Sequence, residues 1–124
     1  YCNDPLGRTT AWVGKVGLMY PSDYGYATGG GNYKREYCLS QNLYTWNSEC
    51  YNDNWLYTSA NHQWTLSPLA RAENSVSTFY VLSSGLVSVS SAAYVWLVRP
   101  SVYLKSNVKI LAGEGTIDNP YMLG

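Results

Sequence analysis

The chain has 124 residues, and its eight Lys and Arg balance eight Asp and Glu to a formal net charge of zero. That is enough length for one domain that buries roughly two-thirds of its unfolded surface. With no run of Lys or Arg, the balance argues against nucleic acid and against an anionic membrane surface as partners. Charged residues make up only 13% of the chain, whereas aromatics reach 15%, from 13 Tyr, 5 Trp and 1 Phe. Such Tyr, Trp, Ser, Asn and Gly richness suits extracellular β domains and binding loops, because Tyr offers wide amphipathic contact at low entropy cost. Each buried Tyr hydroxyl needs a partner, so thirteen are hard to bury together.

The sequence begins at Tyr1 and contains neither a signal peptide nor an apolar run long enough to span a bilayer. The expectation is a single extracellular domain over 1–124, the excised or processed part of a longer anchored protein. Thr10 to Tyr20, TAWVGKVGLMY, reads as a strand weakened at Gly14 and Gly17. Pro21, Ser22 and Asp23 open a short helix that Gly25 and the Gly29–Gly31 run prevent from growing. Gly29 to Glu36 is expected to be a flexible loop. Gln63 to Ser67 reads as a strand closed by Pro68, and Leu69 to Ser77 as a polar loop. Ser77 to Leu82 and Leu86 to Ser90 form a hairpin around Ser83-Ser84-Gly85. Tyr94 to Leu104, YVWLVRPSVYL, is the most hydrophobic stretch and is expected to be the central strand, bent at Arg99-Pro100. Val108 to Ala112 adds a strand, and Gly113 to Leu123 forms a turn-rich tail that packs back. Long helical periodicity is absent, so the fold class is α+β, mostly β, with short helices, antiparallel strands and long ordered loops.

Three cysteines are present, Cys2, Cys38 and Cys50. Cys38 and Cys50 bracket the polar loop CLSQNLYTWNSEC, and in an oxidising compartment they are expected to pair, which stabilises the fold by about 3 kcal/mol in the chain-entropy model. Two free thiols in a cytosolic protein are the alternative. Cys2 is left over for an upstream or external partner. One His and no close Cys pair argue against zinc.

No pattern carries catalysis. The single histidine, His62, sits in SANHQW without a supporting motif and reads as a surface or packing residue. The eight acids are scattered without catalytic spacing. Asn52-Asp53-Asn54 and Glu114, Asp118 and Asn119 carry calcium-type oxygens, but turn formation explains them more simply. Gly113-Glu114-Gly115 lacks the lysine and following helix of a phosphate cradle. No cofactor and no metal are expected.

Five blocks run in order along nearly the whole chain: KVGLMYPSDYGYATGG; then CL with NLYTWNSECYNDNWLY; then QWTLSP; then LVRPSVYLKSNV; and the tail GEGTIDNPYML. They resemble an extracellular C-terminal domain of Firmicutes surface proteins, often carried behind a prepilin-type helix. More distantly, the WTLSP strand, a variable stretch, a Phe-containing strand, a Ser-Gly turn and the closing Val-Arg-Pro resemble C-type-lectin-like variable domains targeted by diversity-generating retroelements. That resemblance implies a C-type-lectin-like fold, a variable window over Leu69 to Trp96, and display on a bacterial surface or pilus. It implies a protein or glycan ligand, with pilus subunits as a further possible partner. An enzyme of the related formylglycine-generating fold would need a reactive cysteine pair, and Cys38 and Cys50 look structural.

One stretch poses a question. Between the Ser83–Gly85 turn and the run Tyr94 to Pro100, Ser88 to Ala93 is almost entirely small residues. These form either an ordinary hairpin edge or a surface whose side chains are free to vary. Strand alternation assigns Phe79, Val81, Val87 and Val89 to the core, along with Trp64, Val98 and Val102. It turns Tyr80, Leu82, Leu86, Ser88, Ser90, Ser91, Tyr94 and Trp96 outward. The expected binding site is Arg71, Asn74, Ser75, Tyr80, Ser88, Ser90, Ser91, Tyr94 and Trp96, on a non-enzymatic adhesion domain. The alternative is the structural head of a pilin, packed against neighbouring subunits.

Overall fold

The computed structural model describes residues 14–69, 77–114 and 118–124. Element order is β1 (Gly17–Leu18), α1 (Pro21–Tyr26), α2 (Arg35–Leu39), a 3-10 turn (Leu43–Thr45), α3 (Ser48–Asn52), β2 (Gln63–Pro68), β3 (Ser77–Val81), β4 (Val87–Ser91), β5 (Pro100–Ser101), β6 (Ile110–Ala112) and β7 (Met122–Leu123). This is a mixed α+β arrangement, with short helices and antiparallel strands. Cys2, the start of the Thr10–Tyr20 strand, and Arg71, Asn74 and Ser75 lie outside the described residues.

Helices α1 and α3 and the 3-10 turn each begin at a local signal. Pro21 opens α1, and the Asp23 carboxylate reaches back to accept the Tyr20 backbone N–H at 2.8 Å. The side chains of Asn42 and Asn47 each accept a first-turn N–H, from Tyr44 and Glu49 respectively. The expected loop before Cys38 ends early, because α2 starts at Arg35. The Arg35 guanidinium donates back to the carbonyls of Tyr26 and Thr28 and ties α2 to the end of α1.

Cys38 and Cys50 form a disulfide with their Cα atoms 5.5 Å apart, joining α2 to α3. Both lie in a buried cluster with Met19, Tyr24, Ala27, Trp46, Leu56, Val81 and Val87. Its polar atoms are partnered, as a dry interior requires. The Trp46 indole donates to Cys38 O at 2.9 Å, and the Tyr24 hydroxyl donates to Gly85 O at 2.8 Å. The buried Asn54 amide donates to Tyr24 O and accepts from Leu56 N. Burial first, then the nearby Tyr57 and Tyr51 phenols, pushes the Tyr24 hydroxyl far above the usual tyrosine range.

β2, β3 and β4 form an antiparallel sheet in that order. The hairpin turns where the sequence places it: Gly85 N donates to Leu82 O, and Leu82 N to Leu86 O. Gly85 has φ +86°, and a Cβ there would fall within the Tyr51 ring. Only glycine meets both demands of this three-residue loop.

The C-terminal arm departs from expectation. β3, not Tyr94–Leu104, is the central strand. The arm contributes one parallel bridge, Gln63 with Leu97, and the two-residue β5 paired with β1. Val98 and Val102 are 58% and 57% exposed, not core. Pro100 has no N–H to continue a ladder, so hydrophobicity alone gave the wrong position. Beyond it, β6 and β7 pair with each other, and their side chains are exposed.

Candidate binding face

The register of the sheet divides its side chains into two faces. Gln63, Val81 and Val87 stand side by side across the three strands, and all are buried on the side of the helices. The next row, Trp64, Tyr80 and Ser88, points the other way, as does Pro68, Thr78 and Ser90. Neither of these outward rows carries a charged residue.

Tyr80 was expected to be exposed and is not: it retains 9% of its surface. The arm covers it. Leu97 N donates to His62 O at 3.0 Å, and Trp64 N donates to Leu97 O at 2.9 Å, which straps the arm along the free edge of β2. That strap lays Trp96 onto the outward face, with ring centroids 4.2 Å from Tyr80 and 4.3 Å from Trp64. Tyr94 stacks on Trp96 at 5.3 Å with the ring planes only 8° apart. His62 meets Trp96 edge-on at 5.0 Å and Tyr80 at 5.3 Å. Four rings therefore converge on Trp96. Tyr94 remains 59% exposed at the outer end of the stack, and the next residue, Val95, is 94% exposed.

The small-residue stretch now has a structural role. Ser88 and Ser90 lie on the same face as Tyr80 and are half-buried. Ser91 ends β4 and makes the turn to Tyr94: its hydroxyl accepts from Ala93 N at 3.3 Å and its carbonyl from Tyr94 N at 3.4 Å. Bulky side chains at 88 and 90 would stand beside the aromatic stack. Small ones leave a shelf of hydroxyls next to it.

Among the sequence-selected residues, Tyr80, Ser88, Ser90, Tyr94 and Trp96 thus gather at one face; Ser91, expected there, pairs with Ser77 in the alternate register that Val81 and Val87 follow. Sequence reasoning missed two members. Trp64 was assigned to the core, yet it is half-buried in the outward row; alternation from Gln63 would have found it once Gln63 was known to face inward. His62 was read as a surface or packing residue without a role at the site; it packs on Trp96 and Tyr80. The phasing of the strand beside it gave no warning that the arm would fold over its ring.

Gln63 is buried and both polar atoms of its amide are bonded: the nitrogen donates to Leu56 O, and the oxygen accepts from Arg99 Nε at 3.1 Å. Among the described residues, no group of His, Cys, Asp and Glu is arranged to hold a metal ion, and no helix is long and apolar enough to cross a membrane. What the face offers is planar aromatic contact beside hydroxyls, which suits binding. No protein-family model matches the chain, and comparison with curated proteins and with solved structures found no match.

Proposed function

We propose that the protein is a non-enzymatic extracellular binding domain and that the Tyr94–Trp96–Trp64–Tyr80 face, with the Ser88 and Ser90 hydroxyls beside it, receives the ligand. The observation that carries this reading is the aromatic stack that starts buried at Tyr80 and ends exposed at Tyr94. Aromatic side chains supply much of the energy of a contact surface. Here they are held by a sheet, so little conformational freedom remains to be lost on binding. The disulfide fits an oxidising compartment. A C-type-lectin-like scaffold displayed on a bacterial surface or pilus, with side chains free to vary in the Leu69–Trp96 window, accords with small residues flanking the stack. The ligand on this reading is a protein or a glycan on another surface.

The test is a labelled domain applied to protein and glycan arrays, next to a variant carrying Tyr94→Ala, Ser88→Arg and Ser90→Arg. Targets bound by the wild type and lost by the variant support the reading. Targets that the variant keeps at full strength overturn it.

A specific observation also favours a second role, the structural head of a pilin-like assembly. Val95, Val98, Val102, Leu104 and Tyr103 are all exposed, Tyr103 at 98%. Scattered apolar residues are ordinary on a surface, but this density within one arm is a signature of contact with another chain. Sedimentation that shows ordered self-association, abolished by Val95→Asp and Tyr103→Asp, favours this role; a monomer at high concentration favours the first.

A further inference from the structure

His62 is the single histidine of the chain, and it occupies a junction. Its Nδ1 lies 2.9 Å from the backbone nitrogen of Ser83. A backbone N–H can only donate, so Nδ1 carries the lone pair and the ring proton sits on Nε2. Ser83 opens the β3–β4 turn. Its carbonyl accepts the Tyr57 hydroxyl at 2.9 Å, so the turn is held from two directions. The His62 carbonyl meanwhile accepts Leu97 N, and its ring packs on Trp96 and Tyr80. One residue therefore connects the hairpin turn, the strapped arm and the aromatic stack.

We propose that His62 is the positioning residue of the aromatic face and that its protonation releases the β3–β4 turn from that face, so that the site loosens on acidification. The proton comes from solvent and adds to Nδ1. The imidazolium then has a donor at each nitrogen and no acceptor, and Ser83 N–H faces another N–H. Among the described residues no carboxylate bonds the ring. The titratable and charged groups around it are the Tyr80 phenol in ring contact, the Tyr57 phenol on Ser83 O, and the Arg99 guanidinium on the neighbouring Gln63. None supplies the lost acceptor. The Trp96 ring attracts a cation, but that attraction does not restore a lone pair for Ser83. The sign follows: only the neutral ring can accept from Ser83 N, so adding a proton to Nδ1 removes the contact.

The inference rests on the proposed binding face for its biological consequence, and its test needs no ligand, so the two fail separately. Nuclear magnetic resonance of the whole chain, isotope-labelled, gives the tautomer and titration of His62 directly. The expected result is an Nε2–H ring at alkaline pH. On acidification, the Ser83 amide and the Trp96 indole signals shift with the same midpoint as His62. Exchange of the Ser83 amide accelerates about tenfold beyond the intrinsic pH effect, the factor that losing one modest hydrogen bond produces. His62→Asn places a carbonyl oxygen near the Nδ1 position and does not titrate, so it should keep Ser83 protected and flatten the profile. His62→Phe keeps a ring but has no acceptor, so it should give the acid-like exchange at every pH. An Nδ1–H tautomer, or Ser83 protection unchanged across the His62 titration, overturns the proposal. If the Phe variant does not fold, the wild-type titration and the Asn variant still decide.

Discussion

On one face of the β2–β3–β4 sheet, Val81 and Val87 disappear beneath Tyr24, Trp46 and the disulfide; on the other, Tyr80 lies under Trp96 and Trp96 stacks with a Tyr94 that ends in water. The first face is closed by three short helices, two of which, α2 and α3, are joined by the disulfide. The second is closed only by a strap of chain attached through two backbone hydrogen bonds. The same alternation feeds both, yet one becomes interior and the other surface. What separates them is the covering layer. The helices bury Val81 and Val87 fully and Phe79 in part, whereas a single arm covers Tyr80 and leaves its own outer ring exposed.

The comparison breaks most visibly at Trp46. It is buried, edge-on to Tyr24 at 5.5 Å, and its indole is bonded to Cys38 O. Trp46→Ala should cost about 3–5 kcal/mol in denaturant unfolding, as large truncations in a core do. A loss below ~1 kcal/mol would show that the helical side is no better packed than the aromatic side.

Next in size is the disulfide. Replacing both Cys38 and Cys50 by Ala should cost about 3 kcal/mol, the value for closing a loop of this order. Thiol labelling of the unreduced protein followed by peptide mapping should find neither of the two modified.

Alkaline pH sharpens the comparison further. An unfolded tyrosine ionises near pH 10, but Tyr24, desolvated in the core, holds its proton well above that. The raised folded-state value means that its contribution is complete below about pH 10 and declines above it, by at most about 1.4 kcal/mol per pH unit. Tyr24→Phe should flatten that decline and cost roughly 1 kcal/mol at neutral pH, through loss of the Gly85 hydrogen bond. An unchanged alkaline slope in this variant would mean that another group sets it.

The smallest effects belong to the outer face. Ser88→Ala and Ser90→Ala should each change stability by no more than about 0.5 kcal/mol, and Tyr94→Ala by little more. Losses here as large as at Trp46 would make the aromatic stack a second core and remove the distinction.

Much of the local structure was legible in the residues. Pro21 and Asp23 started a helix, Ser83-Ser84-Gly85 turned a hairpin, and Cys38 and Cys50, 12 positions apart, paired, because each depends on residues close in sequence. Alternation placed Val81 and Val87 in the core and Ser88 and Ser90 on the other face, but it turned Leu86 outward, whereas Leu86 packs against the buried cluster, and it left Tyr80 exposed, whereas Trp96 covers it. The arm was not legible. YVWLVRPSVYL has the hydrophobicity of a central strand, but hydrophobicity does not specify which edge a segment joins or how far it follows. Those are settled by the two hydrogen bonds between Leu97 and the His62–Trp64 backbone, groups that every sequence possesses.

The sequence alone determined which residues alternate, where the chain turns and which cysteines lie close enough to bond, since these are governed by backbone sterics, side-chain period and short loop length. Only the tertiary structure decided that Tyr80 is covered, that Val98 and Val102 are not, and that His62 joins the turn to the stack. Burial is a property of what comes to lie on top of a residue. Here the covering ring, Trp96, is 16 positions away from Tyr80 in sequence and arrives across a strand and a turn. No local pattern carries that information.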